Sequence, residues 1–114
     1  GALAAEGARE DVAAAVARGL TETSLRGVDS HGIRLVHHYL AVLKSGRINP
    51  DPKFRVERKM SSCAVLDADH TFGHAAGFEA ARLAMEMAAE HGCGNVAVKN
   101  SSHFGAAACF ALEI

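Results

Sequence analysis

The stretch that decides the fold class is SCAVLDADHTFGHAAGFEAARLAMEMAAEHGCGNVAVK, residues 62–99. Its first segment, 62–67, has the apolar content of a buried strand, and 95–99 has that of a short second strand. Between them, apolar side chains recur at helical spacing over about 75–91, and Gly92 supplies a helix stop. Residues 68–77, rich in glycine and histidine, predict a loop. A helix between two strands is typical of an α/β fold.

Outside this stretch the expected elements are, in chain order, helices over 3–20 and 31–44, a strand over 54–59, a polar turn over 100–103 and a helix over 104–114. Val12, Val16 and Leu20 recur every four residues and indicate the first helix, while Ser30 would cap the second. We therefore expect a helical segment over 1–50 and the first part of an α/β domain over 51–114. The last helix stops while still periodic, so we expect a piece of a longer chain.

Composition excludes several classes of protein. The chain has 114 residues, of which 49% are hydrophobic and 22% charged, too apolar for a disordered chain. No apolar run is long enough for a transmembrane helix. A net charge of −1 argues against nucleic-acid binding. The three cysteines contain no CxxC pair, and no signal peptide is visible, so we expect a reducing, cytoplasmic compartment.

Polar residues cluster where the second helix is expected to begin. The run Asp29-Ser30-His31-Gly32-Ile33-Arg34 is followed by His38, and helical spacing would place His31, Arg34 and His38 on one face. A helix N-terminus favours anions, and an arginine can grip a carboxylate with two hydrogen bonds. The pattern predicts a carboxylate site; a solvated polar face with a Ser or Asp cap is the alternative.

A second polar cluster, Asn100-Ser101-Ser102-His103-Phe104-Gly105, follows the strand 95–99. Ligand sites in α/β sheets gather beyond the carboxyl ends of strands, and a histidine there can transfer protons near neutral pH. Gly105 and the alanines after it would let a flat ring or a phosphate approach the backbone. The alternative is a capping turn whose histidine bonds a carbonyl.

Other motifs are weaker. Asp67-Ala68-Asp69-His70 and His74 could suggest a metal site, but the two histidines flank a glycine loop and no HExxH or cysteine ligand is present. We expect a structural loop and no metal. The run beginning at Gly92 starts like GxGxxG but lacks the third glycine and precedes a strand, so it is no dinucleotide fingerprint.

Five segments together resemble the malate/L-lactate dehydrogenase family of the second type, which is distinct from the Rossmann-fold lactate and malate dehydrogenases. In order they are SLRGVDSHG at 24–32 followed by Tyr39, GRINP at 46–50, LDADH at 66–70, FGHAAG at 72–77 and VKNSSHFGAA at 98–107. Each segment alone is weak, but their combined order is specific. The match covers nearly the whole chain from about residue 10.

The resemblance implies oxidoreduction of small 2-hydroxy or 2-imino acids, such as malate or lactate, with NAD or NADP. It implies a non-Rossmann α/β fold in which N-terminal helices precede part of a mixed sheet with flanking helices. It also implies a homodimer whose subunits both build the active site. A 114-residue chain would be about the first third of a family member.

The resemblance also implies roles for individual residues. His103 falls on the histidine usually given the acid/base role, and His31, with Ser30 beside it, on the histidine of the SHG motif. Many relatives place the carboxylate-binding arginine at the position of Leu35, whereas here the arginine is Arg34. The expected site residues are His103, His31 and Ser30 for catalysis, Arg34, His38 and Tyr39 for the substrate, and Phe104, Gly105, Ala106 and Ala107 for the cofactor.

Two further expectations concern activity. We expect the side chains of His31, Arg34 and His103 to face a common cleft, and the 114-residue chain by itself to be inactive as a dehydrogenase. The alternatives are a truncated, non-catalytic homologue that only folds or dimerises, and a histidine-rich metal hydrolase.

Overall fold

The computed structural model describes residues 1–114 and contains five helices and three strands. The helices are α1 (Ala2–Ala5), α2 (Glu10–Leu25), α3 (Val36–Lys44), α4 (Gly73–His91) and α5 (Ala108–Ala111), and the strands are β1 (Arg55–Met60), β2 (Cys63–Asp67) and β3 (Asn95–Lys99). Two single 3-10 turns, Asp29–His31 and Ile33–Leu35, connect α2 to α3.

The three strands form one mixed sheet in the order β1-β2-β3. β1 and β2 run antiparallel as a hairpin, whereas β2 and β3 run parallel and are connected through α4. In the parallel pair Leu66 lies opposite Val98, and Asp67 lies opposite Lys99. The expected α/β class, with helices before a mixed sheet, is confirmed. The parallel pairing also brings the ends of β2 and β3 to the same edge.

The core lies where α2 and α3 meet the start of α4. Val16 and Leu20 of α2, Tyr39 of α3 and Phe72 just before α4 are each at most 2% exposed and belong to one apolar cluster. Burial of this size stabilises by roughly 1.5–3 kcal/mol per large side chain. β1, by contrast, is exposed along its whole length and carries four charged side chains at the edge of the sheet.

Four element boundaries differ from those that the sequence predicted. The first helix is not continuous over 3–20: Gly7 adopts a φ of +97° after α1, and α2 then runs to Leu25. The second helix begins at Val36 instead of 31, because Gly32 is extended. The loop is shorter than 68–77, since α4 begins at Gly73, and the last helix covers only Ala108–Ala111 of 104–114.

None of the helices is both long enough and apolar enough to cross a membrane. The three cysteines, Cys63, Cys93 and Cys109, are all free thiols. Cys109 is buried against α2, where its Sγ lies 3.2 Å from Thr23 Oγ1 and so links α5 to α2.

His74, in the first turn of α4, is a completely buried histidine without a hydrogen-bond partner on either ring nitrogen. Its ring packs edge-on to Tyr39 with centroids 5.3 Å apart. Burial, with a smaller contribution from His103, lowers the pKa of His74 from 6.5 to about 4. The folded protein therefore holds His74 as a neutral imidazole at physiological pH.

This burial predicts acid sensitivity. Between pH 6.5 and 4 the unfolded chain protonates His74 and the folded chain does not, so stability falls as the pH falls through that window. The expected loss of unfolding free energy is about 3 kcal/mol. Guanidinium titrations at pH 7 and pH 4 measure it.

The matched control is His74→Leu, which places an apolar side chain in the same buried position and cannot take the proton. Between pH 7 and pH 4 this variant should lose about 3 kcal/mol less unfolding free energy than the wild type does. His103, whose pKa is also lowered, is present in both proteins, so its contribution cancels. Equal acid losses in the two proteins would show that His74 is not the sensitive group.

Candidate active site

The polar turn over 100–105 begins where β3 ends, beside the end of β2. Asn100 adopts a left-handed φ of +53°, and its Nδ2 donates to Asp67 Oδ1 at 3.1 Å. The backbone N–H of Asp69 donates to the same carboxylate at 3.0 Å and, together with Asn100, lowers the pKa of Asp67. The turn therefore starts from an anchored, ionised carboxylate.

The middle of the turn is held against the start of α4. Ser102 Oγ accepts a hydrogen bond from the Gly73 backbone N–H and donates one to the Thr71 carbonyl, both at 3.1 Å. Gly105, with a φ of +72°, packs so closely that a Cβ there would lie 2.6 Å from His74 Nε2. These contacts fix the backbone on both sides of His103.

His103 is bonded to a residue far away in the sequence. Its Nδ1 lies 2.7 Å from the hydroxyl oxygen of Tyr39, in the middle of α3. Tyr39 is 1% exposed, and burial raises the pKa of its phenol to about 12. A neutral phenol thus fixes the His103 ring and leaves Nε2 as the nitrogen available to a ligand.

His31 lies on the other side of the His103 ring. Its Nδ1 is 2.9 Å from Ser30 Oγ, and the two imidazoles stack with centroids 5.8 Å apart and planes 23° from parallel. Partial burial lowers the pKa of His103, and the nearby His31 and His38 make smaller contributions in the same direction. His103 is therefore neutral at pH 7 and able to accept a proton.

A cavity of about 360 Å³ opens at this histidine. Its walls are formed by His38, Tyr39, Val42, Arg47, Ile48, Ser101, Ser102 and His103. Two of the three residues predicted to contact the substrate, His38 and Tyr39, are among them. Arg34 is exposed and does not line it, and Arg47, which the sequence did not single out, does.

The expected common cleft is formed only in part. The structure brings His31 to within stacking distance of His103, but neither His31 nor Arg34 lines the cavity. The prediction that His31, Arg34 and His38 share one helical face is wrong. Gly32 is extended, with φ −95° and ψ −151°, and it separates the 3-10 turn of His31 from the rest of the run.

A second, apolar groove of about 660 Å³ lies beside the same turn, between α4 and β3. Small residues of α4, among them Gly73, Ala76 and Gly77, form one wall, and Val96 and Val98 form the other. Ser101 and Ser102 line both this groove and the histidine cavity. The two spaces are therefore adjacent, and the two residues before His103 separate them.

Of the four residues expected at the cofactor, only Phe104 lines this groove. Gly105 is turned toward His74, and Ala106 and Ala107 lead into α5. Phe104, Phe110 and Ile114 add large apolar side chains to the glycines, alanines and valines of the groove's lining. Its lining contains no arginine or lysine, so it offers no cation to a pyrophosphate.

The loop considered for a metal has structural contacts instead. Asp69 Oδ2 accepts hydrogen bonds at 2.9 Å from Asn49 Nδ2 and from the Lys53 backbone N–H. No group of three or more His, Cys, Asp or Glu side chains is arranged to hold a metal ion. The loop serves to tie the segment after α3 to the sheet edge.

Comparison with known proteins identifies relatives over the whole chain. The malate/L-lactate dehydrogenase family model matches residues 1–114. A malate dehydrogenase of Pyrococcus abyssi is 42% identical over 106 residues, which are 93% of this chain and 29% of that enzyme. An L-sulfolactate dehydrogenase of Methanocaldococcus jannaschii is 37% identical over 89% of this chain and 29% of its own length. The solved malate dehydrogenase of Pyrococcus horikoshii superposes with a TM-score of 0.94 at 38% identity, covering 98% of this chain and 32% of that one.

Proposed function

The chain belongs to the malate/L-lactate dehydrogenase family, and from this premise we propose that it forms the proton-transfer part of an active site that moves a hydride between NAD(P) and C2 of a small 2-hydroxy acid. The observation that carries the proposal is His103, held by Tyr39 at 2.7 Å on the wall of a cavity. The chain spans less than a third of the length of these relatives, so the rest of the site would come from other parts of the enzyme.

His103 is proposed as the acid/base. When the alcohol is oxidised, Nε2 takes the hydroxyl proton while the hydride leaves C2. Nδ1 keeps its own proton and donates a hydrogen bond to the Tyr39 oxygen. The raised pKa of Tyr39 means that this oxygen belongs to a neutral phenol. In the reductive direction Nε2–H returns its proton to the carbonyl oxygen.

His31 and Ser30 are proposed to assist at the substrate oxygen. The Ser30 hydroxyl orients the His31 ring through Nδ1, which leaves Nε2 free for a hydrogen bond. Burial and, to a smaller extent, the nearby His31 lower the pKa of His103, so the His103 ring beside His31 is neutral at pH 7. His38 and Tyr39 would complete the substrate wall of the cavity.

The dehydrogenases of this family use NAD(P), and the nicotinamide supplies the carbon that accepts or donates the hydride. We propose that Phe104, Gly105, Ala106 and Ala107 approach this cofactor at the groove beside the turn. The mostly apolar lining of this groove supports contact with a flat ring. The pyrophosphate would need cationic or backbone donors from elsewhere in the enzyme. We further propose that the full-length enzyme is a homodimer and works in the cytoplasm.

The test is a chimera in which these 114 residues replace the matching third of the Pyrococcus abyssi malate dehydrogenase. We expect the chimera to oxidise NADH or NADPH with a small 2-keto acid such as oxaloacetate or pyruvate. We expect the 114-residue chain alone to show no turnover, because its groove lacks donors for the pyrophosphate. Cofactor oxidation is followed by absorbance at saturating substrate.

Two results would contradict the proposal. A folded chimera that binds NADH by fluorescence transfer but reduces no 2-keto acid would favour the non-catalytic alternative, in which the chain is only a folding or dimerisation module. Turnover by the isolated 114-residue chain would show that its own residues suffice for the cofactor.

A further inference from the structure

We infer that Arg47 binds the carboxylate of the 2-hydroxy acid in the cavity of His103. The inference rests on the proposed function and assigns a binding role to a residue that the SHG and NSSHFG motifs do not include. Its basis is the charge and the anchoring of the residues around the cavity.

The cavity is built for an anion. Its eight lining residues include no aspartate or glutamate. Arg47 is the only lysine or arginine in the lining, and a guanidinium stays charged at every physiological pH. Its guanidinium forms no ion pair, unlike those of Arg9, Arg18 and Arg82. The hydroxyl of Ser101 adds a neutral donor on the same wall.

The backbone of Arg47 is fixed at the rim of this cavity. The next residue, Ile48, is 5% exposed and belongs to the apolar core. Asn49 then donates its backbone N–H to the His70 carbonyl at 3.0 Å and accepts from Thr71 Oγ1 at 2.9 Å. The side chain of Arg47 is exposed, but its backbone leads directly into these anchored residues. Thr71, which bonds Asn49, also accepts a hydrogen bond from Ser102, the residue before His103.

Arg34, like Arg47, is exposed and forms no ion pair, but its position differs. It is exposed in the 3-10 turn after Gly32, and it does not line the cavity. A carboxylate held by Arg47 lies in the same cavity as His103, so the C2 hydroxyl next to that carboxylate can reach Nε2. A guanidinium can hold the carboxylate with two parallel hydrogen bonds, which also orients C2.

Titration of the labelled 114-residue chain with L-malate, followed by the NMR signals of the histidine rings, tests the inference directly. Malate should shift the His103 signals and raise the pKa of His103, because a bound anion favours the imidazolium. Arg47→Gln should weaken malate binding roughly tenfold or more, the cost of losing a charge-assisted pair. Arg58→Gln, on the exposed strand β1, should bind as the wild type does.

The inference is overturned if malate leaves the wild-type His103 signals unchanged, if Arg47→Gln binds malate normally, or if Arg34→Gln alone abolishes binding. Kinetics in the chimera separate this inference from the proposed function. An active chimera whose KM is unaffected by Arg47→Gln would refute only the role of Arg47. An inactive chimera, with Arg47-dependent malate binding retained in the titration, would refute only the proposed reaction.

Discussion

Replacement of His103 by alanine in the chimera should lower kcat by about 10²–10⁴-fold and leave KM nearly unchanged. The reason is that the proton moves only in the transition state, whereas the contacts that bind the substrate in the ground state come from other residues of the cavity. Steady-state kinetics with NADH and oxaloacetate measure both parameters. The matched control is His91→Ala, which removes an exposed histidine at the far end of α4.

The pH profile gives this prediction a second readout. In the oxidative direction His103 must be unprotonated, so the rate should fall as the pH falls through the pKa of His103, which lies below 6.5. His103→Ala should lose this acid limb along with its activity, while His91→Ala should keep it. Near-normal kcat in His103→Ala, with the acid limb intact, would mean that another group transfers the proton.

The elements predicted most closely from the sequence are those that local signals determine. β2, α4 and β3 lie almost where the pattern placed them, because their apolar periodicity and the stop at Gly92 are local. Gly92 adopts a left-handed φ of +84° directly after α4, as a helix stop should. These three elements alone account for the α/β class.

The second helix shows why other boundaries were missed. Helical periodicity extends back to residue 31, but Gly32 is buried against Ser24 of α2, and Ile33 donates its backbone N–H to Ser24 Oγ at 2.8 Å. This tertiary contact holds the chain in 3-10 turns until Val36. No local pattern reports a contact between segments nine residues apart in the sequence and on different elements.

The candidate site divides in the same way. His31 and His103 lie in polar runs beside predicted turns, and each run indicated a site by itself. The bond from Tyr39 to His103 spans 64 positions in the sequence and left no local signal. Arg47 was missed because GRINP has the composition of a plain turn after a helix. Its place in the lining of the histidine cavity sets Arg47 apart, and a local pattern cannot report that place.

Tyr39→Ala should be among the most destabilising single substitutions in this chain. Tyr39 is 1% exposed, and its ring packs against Phe72 and His74 with centroids 5.9 and 5.3 Å away. Truncation of a large buried aromatic side chain leaves a cavity that costs about 3–5 kcal/mol. Guanidinium unfolding of the 114-residue chain measures the loss, and an unchanged midpoint would contradict the packing described.

Tyr39→Phe separates the packing of this ring from its hydrogen bond. It keeps the apolar contacts, so the loss of unfolding free energy should be only about 0.5–1.5 kcal/mol. In the chimera, however, His103 Nδ1–H loses the phenol oxygen that stabilises its protonated form. The acid limb of the oxidative pH profile should therefore move to lower pH, and kcat should fall because the ring is no longer held. A Tyr39→Phe enzyme with the wild-type pH profile and kcat would show that Tyr39 only fills the core and does not position His103.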